Sequence, residues 1–207
     1  MRRPNQPWPI MPRRGDEDEC YTAAVGNKEL VAVGDVGPKL NAFLFEHILR
    51  SGCKLDGAKG ASKEGKRLWL NSFGGCTASM SSIVDLFEEA WDLSTIATGA
   101  CMSAAVPIVA AGTPGKRYAT HRTRFMLHPS WNEYGQALER SFLENELAEF
   151  KDGEDKYAAI MARYCQHDKK YWLNKCNCRV PWYFGAREAL NQGIIDFIIT
   201  DKIRGKQ

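Results

Sequence analysis

The feature of the sequence that most constrains the fold is a regular alternation of short apolar segments with longer amphipathic segments. The short segments have the length of buried strands, and the longer ones place apolar residues three and four positions apart, as an α-helix does. The predicted strands are residues 29–34, 67–71, 94–99, 116–120, 124–127 and 194–200, and the predicted helices are residues 39–51, 78–92, 103–111, 136–164 and 186–192. Strands that alternate with helices in this way indicate an α/β fold with one layered core.

The size and composition of the chain fit one globular domain and exclude several classes of protein. Its 207 residues, 44% of them hydrophobic, are enough for one good-sized core and few for two. The net charge is only +3, and four of the arginines lie in residues 1–14, so no nucleic-acid partner is expected. The longest apolar run, residues 104–111, is far shorter than the roughly 20 residues of a membrane span, so no membrane partner is expected.

The cysteines and the N-terminus indicate a cytoplasmic protein. Seven cysteines make an odd number without the spacing of a disulfide framework, which is typical of a reducing compartment. The N-terminus contains arginines but lacks the apolar region of a secretory signal.

The chain divides into an N-terminal arm, residues 1–27, and a domain at residues 28–207. Four prolines and the acidic cluster at 16–19 predict an arm that is extended or mobile. Within the domain, the long helix at 136–164 carries alternating charges on one face. Its other face is apolar, with Leu143, Leu147, Phe150, Tyr157, Ile160 and Met161. We expect this helix to lie outside the main core and to pack on another surface, such as a second subunit.

Three short segments contain residues suited to chemistry. Residues 71–75 end a strand in two glycines, which can adopt positive φ and bring N–H groups close to a bound group. Ser103 is predicted at the start of a buried helix, where it is either an N-cap or a nucleophile beside free N–H groups. His128 ends an apolar strand, where it is either structural or catalytic. Each segment alone favours the structural alternative, and only their conjunction favours a catalytic site.

In order and spacing, these segments resemble the proteolytic subunit of the Clp ATP-dependent protease, a family of serine peptidases in the crotonase-like superfamily. The resemblance runs from Val31 to Ile199. Its anchors are NSFGG at 71–75, GACMSAA at 99–105, AAG at 110–112, GKR at 115–117, RFMLHP at 124–129 and AREALNQGIID at 186–196. The family implies a layered fold of repeated β-β-α units with a protruding long-helix handle, here at about residues 132–165.

The resemblance also implies a site and a set of partners. Ser103 falls on the family's nucleophile, His128 on its general base, and the backbone N–H groups of Gly75 and Ala104 on its oxyanion hole. The implied activity is a serine endopeptidase that cleaves unfolded polypeptides through an acyl-enzyme. Family members form two stacked seven-membered rings with active sites inside and are fed by an AAA+ Clp unfoldase. That partner uses the ATP, so neither a metal nor another cofactor is expected in this chain.

The sequence departs from the family at the aspartate of the catalytic triad. Pro181 occupies the aspartate position, and no Asp or Glu occurs from Lys169 to Arg187. Asn177 is near enough in sequence to orient the imidazole, although a neutral amide supplies no charge. A catalytically impaired or inactive structural subunit of a mixed ring is therefore an alternative. A third possibility is an acyl-CoA enzyme of the same superfamily, which is disfavoured because those enzymes need no serine–histidine pair.

The same region contains a possible set of metal ligands. Cys165, His167, Cys176 and Cys178 are the kinds of side chain that bind zinc in four-coordinate sites. Their C-x-H and C-x-C spacings are not those of standard zinc modules, so four reduced, partly buried side chains are the simpler interpretation.

Overall fold

A mixed sheet of eight strands forms the centre of the described part of the chain. The computed structural model describes residues 20–50, 65–89, 92–130, 139–178 and 180–199. The strands are β1 (Cys20–Val25), β2 (Glu29–Gly34), β3 (Lys66–Ser72), β4 (Leu93–Met102), β5 (Arg117–Thr120), β6 (Arg124–Leu127), β7 (Trp182–Gly185) and β8 (Phe197–Ile199). The helices are α1 (Pro38–Leu49), α2 (Thr77–Glu89), α3 (Ala105–Ala110), α4 (Arg140–Tyr164), α5 (Lys169–Cys176) and α6 (Ala186–Asn191). The predicted α/β class is confirmed, and the architecture is consistent with the fold that the resemblance implies.

The pairing of the strands brings several strand ends to one edge of the sheet. Six strands lie in the order β1-β2-β3-β4-β5-β8, while β6 pairs with both β4 and β7. Strands β2, β3, β4, β5 and β8 are mutually parallel, and β6 is parallel to β4. The β1–β2 and β6–β7 pairs are antiparallel. Because parallel strands end at a common edge, the residues that follow β3, β4 and β6 are neighbours.

Strand β4 bends at Gly99 and pairs with different partners on the two sides of the bend. Thr95–Ala97 pair with β5, whereas Ala100–Met102 pair with β6. Gly99 has φ +58°, and a Cβ there would lie 3.0 Å from the side-chain oxygen of Asn71. That oxygen accepts a hydrogen bond of 2.9 Å from the N–H of Ala100, which compensates for the shift in the β3–β4 register at this point. The strand was predicted to end at Gly99, which is wrong because the glycine bends it without ending it.

Several predicted boundaries differ from the observed ones. The sheet begins with β1 at Cys20, so the predicted domain start at residue 28 leaves out an edge strand. Residues 1–19 of the predicted arm lie outside the described residues. Helix α5 and strand β7 were not predicted, because their short segments lack a clear period. The last strand was predicted at 194–200, but Ile194 and Ile195 are buried before β8 begins.

The long helix α4 joins the core at one end only. Tyr157, Ala158 and Met161 are buried in its C-terminal half, whereas Leu143 and Leu147 in its N-terminal half are 50% and 54% exposed. The expectation that the whole helix lies outside the core is therefore wrong for its last two turns. Within the described ranges, no helix combines the length and apolar character needed to cross a membrane.

A mostly buried ion pair connects β5 to the residue before β8. Nε of Arg117 donates to Oδ2 of Asp196 at 2.9 Å, and the same guanidinium donates to the carbonyl of Tyr164 at 2.8 Å, at the end of α4. Burial alone would raise the pKa of Asp196, but the hydrogen bonds and charge of Arg117 outweigh it and lower that pKa. The carboxylate therefore stabilises the fold above its unfolded pKa near 3.8, and this contribution is lost as the pH falls through the lower folded value.

Substitution of Arg117 by Met is expected to lower the free energy of unfolding by about 3 kcal/mol, the lower end of the range for buried pairs, because Asp196 loses its charged partner but still accepts from the N–H of residue 117. The neighbouring Lys116 pairs with Asp92, and both side chains are over 40% exposed. Lys116→Met, the matched control, should cost at most about 1 kcal/mol. Denaturant unfolding of the two variants at neutral pH measures both values, and equal losses would contradict the structural role given to Arg117.

Candidate active site

Ser103 lies in the turn between β4 and α3, in a backbone conformation that is rare for a serine. Its φ is +50°, in the left-handed region. Its N–H donates to the carbonyl of Met126 at 2.8 Å, and its carbonyl accepts from the N–H of Val106 at 3.0 Å. All the other residues from 100 to 112 are buried, so Ser103 is the accessible position of this segment.

The N-cap alternative for Ser103 is wrong. Helix α3 begins at Ala105, two residues later than predicted, and its N-cap is Ala104, which has no side-chain capping bond. The hydroxyl of Ser103 instead meets the imidazole of His128, with Oγ and Nε2 2.9 Å apart.

His128 reaches Ser103 because β6 runs parallel to β4. Met102 is the partner of Met126 in this pairing, so the chain segments that follow both strands leave the sheet side by side. Ser103 and His128 are both partly accessible to solvent. A hydroxyl and an imidazole nitrogen at this distance have the geometry of a nucleophile and its general base.

The surroundings of His128 favour its neutral form. Burial lowers the pKa of the imidazole below 6.5, and a hydrogen bond to the Pro129 backbone offsets this only in part. Proline has no N–H, so the partner in that bond is the carbonyl of Pro129 and the ring is the donor. Because Nε2 faces Ser103, Nδ1 is the nitrogen left to donate. This leaves the lone pair of Nε2 directed at the hydroxyl.

Gly74 passes close to the turn that contains Ser103 (the serine turn), and Gly75 follows it beside Val36. A Cβ on Gly74 would lie 2.6 Å from Cβ of Ser103, and one on Gly75 would lie 2.3 Å from the carbonyl oxygen of Val36. Val36 donates to the carbonyl of Gly74 and accepts from the N–H of Cys76, so the N–H of Gly75 points away from it.

The N–H groups of Gly75 and Ala104 donate no hydrogen bond to any residue that the structure describes. Ala104 is fully buried and directly follows Ser103, and Gly75 is partly buried in the adjacent segment. Two unused donors, one on the residue after Ser103 and one in the adjacent segment, are the kind of groups that stabilise an oxyanion.

No carboxylate occupies the position where the resemblance implies an aspartate. The antiparallel β6–β7 register pairs Leu127 with Trp182, and its continuation puts Pro181 opposite His128. Asn177 is exposed, ends α5, and forms no side-chain hydrogen bond within the described residues. It therefore does not take the orienting role that the sequence left open for it.

The alternative metal ligands do not form a site. All four side chains are described, and no three His, Cys, Asp or Glu side chains of the described residues are close enough to hold a metal ion. Burial raises the pKa of Cys165 and of Cys176 to about 12, which keeps both thiols protonated. His167 instead stacks on the ring of Tyr171 at 3.9 Å.

One residue beside Ser103, Tyr157, was not predicted as part of the site. Tyr157 was assigned only to the apolar face of the long helix, but its hydroxyl donates to the carbonyl of Ser103 at 3.0 Å. A tyrosine on a buried helix face is a signal in itself, because its hydroxyl needs a partner inside the protein. The sequence does not show which partner it finds.

Comparison with known proteins gives a consistent result. The profile of the family described as Clp protease matches residues 55–202. The chain is 31% identical over 137 residues to the ATP-dependent Clp protease proteolytic subunit 2 of Frankia casuarinae, covering 65% of this chain and 61% of that protein. It is 31% identical over 166 residues to the chloroplastic proteolytic subunit 4 of Arabidopsis thaliana, covering 79% and 54%. A third relative, proteolytic subunit 2 of Streptomyces coelicolor, is 28% identical over 138 residues, covering 65% and 61%.

The match is therefore broad within this chain and partial within its relatives. The chain spans 54% to 61% of the length of these three proteins. The family profile covers more than half of the 207 residues, including the serine turn and the histidine. On this evidence, the chain belongs to the Clp protease family.

Proposed function

We propose that this chain is a Clp-type serine endopeptidase subunit that cleaves unfolded polypeptides. The observation that carries the proposal is the 2.9 Å contact between Oγ of Ser103 and Nε2 of His128. It occurs at a serine held at φ +50°, a conformation that costs on the order of 1–3 kcal/mol for a residue other than glycine. Capping does not account for this cost, since Ala104 is the cap.

In the proposed acylation step, Nε2 of His128 takes the proton of the Ser103 hydroxyl while Oγ attacks the carbonyl carbon of a peptide bond. The carbonyl π electrons move onto the oxygen, and the N–H groups of Gly75 and Ala104 donate to the resulting oxyanion. When the tetrahedral intermediate collapses, the C–N bond breaks. The leaving amine receives the proton from His128, and an ester to Ser103 remains.

Deacylation repeats these steps with water as the nucleophile. His128 takes a proton from the water molecule, the hydroxide adds to the ester carbon, and Oγ of Ser103 leaves with the proton from the imidazolium. The reaction consumes only the peptide and water, so it requires no cofactor in this chain. The Pro129 carbonyl holds the required tautomer, but it lacks the full negative charge with which an aspartate stabilises the imidazolium.

The proposed peptidase acts within an assembly of its own copies and with an AAA+ Clp unfoldase that consumes ATP. The names of the relatives describe proteolytic subunits of ATP-dependent proteases. In this chain, support comes from the apolar side chains that α4 leaves exposed, Phe142, Leu143 and Leu147. The six described cysteines are all free, as in a reducing compartment, and we place the activity in the cytoplasm.

A second candidate function is that of a structural subunit in a mixed ring, with little or no activity of its own. The observation that favours it is Pro181, which continues the β7 register to the position opposite His128 and carries no acceptor side chain. Loss of the triad aspartate lowers the rate by about 10⁴ in a serine peptidase, although a residual activity above that of water remains.

A fluorophosphonate probe distinguishes the two candidates. We expect the probe to modify the assembled wild-type protein on Ser103, because His128 activates that hydroxyl. Ser103→Ala should abolish the modification, while Ser82→Ala on α2 should retain it. Mass spectrometry of the labelled peptide identifies the modified residue. An unmodified Ser103 in correctly assembled protein would rule out the peptidase and leave the structural subunit.

The pH dependence of acylation should follow the lowered pKa of His128. The neutral imidazole is the reactive form, so the rate rises as the pH passes through this pKa. The rising part of the profile should therefore lie below pH 6.5, with a plateau at neutral pH. Labelling rates from pH 4.5 to 8.5 measure the midpoint, and a midpoint above 6.5 would contradict the effect assigned to burial.

Replacement of Pro181 by Asp is expected to place a carboxylate opposite His128. A carboxylate opposite His128 stabilises the imidazolium, so the rate should rise at least about tenfold, a fraction of the full effect of about 10⁴. The midpoint of the pH profile should also move to higher pH. Pro181→Asn, the matched neutral control, should leave the midpoint unchanged. Equal effects of Asp and Asn on the labelling rate and its pH midpoint would show that charge at position 181 plays no part.

A further inference from the structure

The hydroxyl of Tyr157 connects helix α4 to the backbone of the proposed nucleophile. Tyr157 is 8% exposed and donates to the carbonyl oxygen of Ser103 at 3.0 Å. A carbonyl oxygen can only accept, so the tyrosine is the donor. Fifty-four residues separate the two in sequence, and the bond is made in the half of α4 that enters the core.

The carbonyl that Tyr157 contacts belongs to the same peptide group as a proposed oxyanion donor. The C=O of Ser103 and the N–H of Ala104 lie in one planar, trans peptide unit, so they point in opposite directions. A hydrogen bond that fixes the direction of the carbonyl therefore fixes the direction of the N–H. Without Tyr157, the carbonyl keeps one described partner, the N–H of Val106 at 3.0 Å, which lies in the first turn of the six-residue helix α3.

The same bond also affects how strongly Ala104 donates. A donor at a carbonyl oxygen draws electron density away from the amide nitrogen, which makes the N–H of that peptide a stronger donor. Burial, and to a lesser extent the neighbouring thiols of Cys176, Cys101 and Cys165, raise the pKa of Tyr157 well above 10. The phenol therefore keeps its proton over the whole working pH range.

We infer that Tyr157 is a positioning residue for the oxyanion hole, which acts by orienting and polarising the peptide group between Ser103 and Ala104. This inference rests on the proposed peptidase function. It predicts that removal of the hydroxyl weakens stabilisation of the tetrahedral intermediate and leaves His128 unaffected. The labelling rate of Ser103 should fall about tenfold, which is less than the 10²–10³ loss of rate from direct removal of an oxyanion donor.

The test compares Tyr157→Phe with Tyr164→Phe on the same helix. The hydroxyl of Tyr164 donates to the carboxylate of Glu88 at 2.7 Å, away from the serine turn. Tyr164→Phe is therefore a matched control that also removes one hydroxyl. For each protein, the labelling rate, its pH midpoint and the carbonyl stretching frequency of a ¹³C-labelled acyl-enzyme are measured. We expect only Tyr157→Phe to label more slowly and to raise the stretching frequency, with an unchanged pH midpoint. A purely structural role would not shift that frequency.

A second variant covers the case in which Tyr157→Phe does not assemble. Fluorotyrosine at position 157 keeps the shape of the side chain and makes its hydroxyl a stronger donor, so it should shift the carbonyl frequency downward.

The outcomes separate this inference from the proposed function. If the wild-type protein labels and neither change at position 157 shifts the frequency, the role of Tyr157 is overturned and the peptidase stands. If the wild-type protein does not label, both are overturned.

Discussion

The bend of β4 at Gly99 is the constraint on which the arrangement of the site depends. Before the bend, the strand pairs with β5, and after it the strand pairs with β6. A straight strand would continue beside β5, and the segment that carries His128 would have no edge to join. The bend interrupts the ladder with β3, and the side chain of Asn71 compensates by accepting from the N–H of Ala100. A loss of regular pairing in the middle of the sheet thus produces the neighbouring strand ends that hold the site.

The serine turn is held by contacts from several elements. The carbonyl of Met126 on β6 accepts from the N–H of Ser103. The carbonyl of Ser103 accepts from the N–H of Val106 and from the hydroxyl of Tyr157. Gly74 approaches so closely that a side chain there would overlap Ser103. A positive φ at a serine persists only where the surrounding structure fixes it, and these contacts do so from three sides. The turn is therefore a property of the packed domain, and the local sequence alone would favour a simple helix start.

The electrostatics of His128 differ from those of a complete triad. Burial outweighs the hydrogen bond to the Pro129 backbone, and the pKa of the imidazole falls. A carboxylate opposite the ring would act in the other direction, because it stabilises the charged form. In the proposed peptidase, the neutral imidazole can accept the serine proton, while Pro181 supplies no charge to the imidazolium.

The sequence by itself determined the α/β class, most of the helices and strands, and the three segments that form the site, because periodicity and glycine positions are local properties. The resemblance to the Clp family further implied an aspartate at the position of Pro181. Only the tertiary structure decided that Ser103 precedes the helix instead of capping it, that Asn177 is too exposed to orient His128, and that Tyr157 reaches the serine carbonyl. The reason is physical: these contacts join segments far apart in the chain, and their formation depends on strand pairing and helix packing.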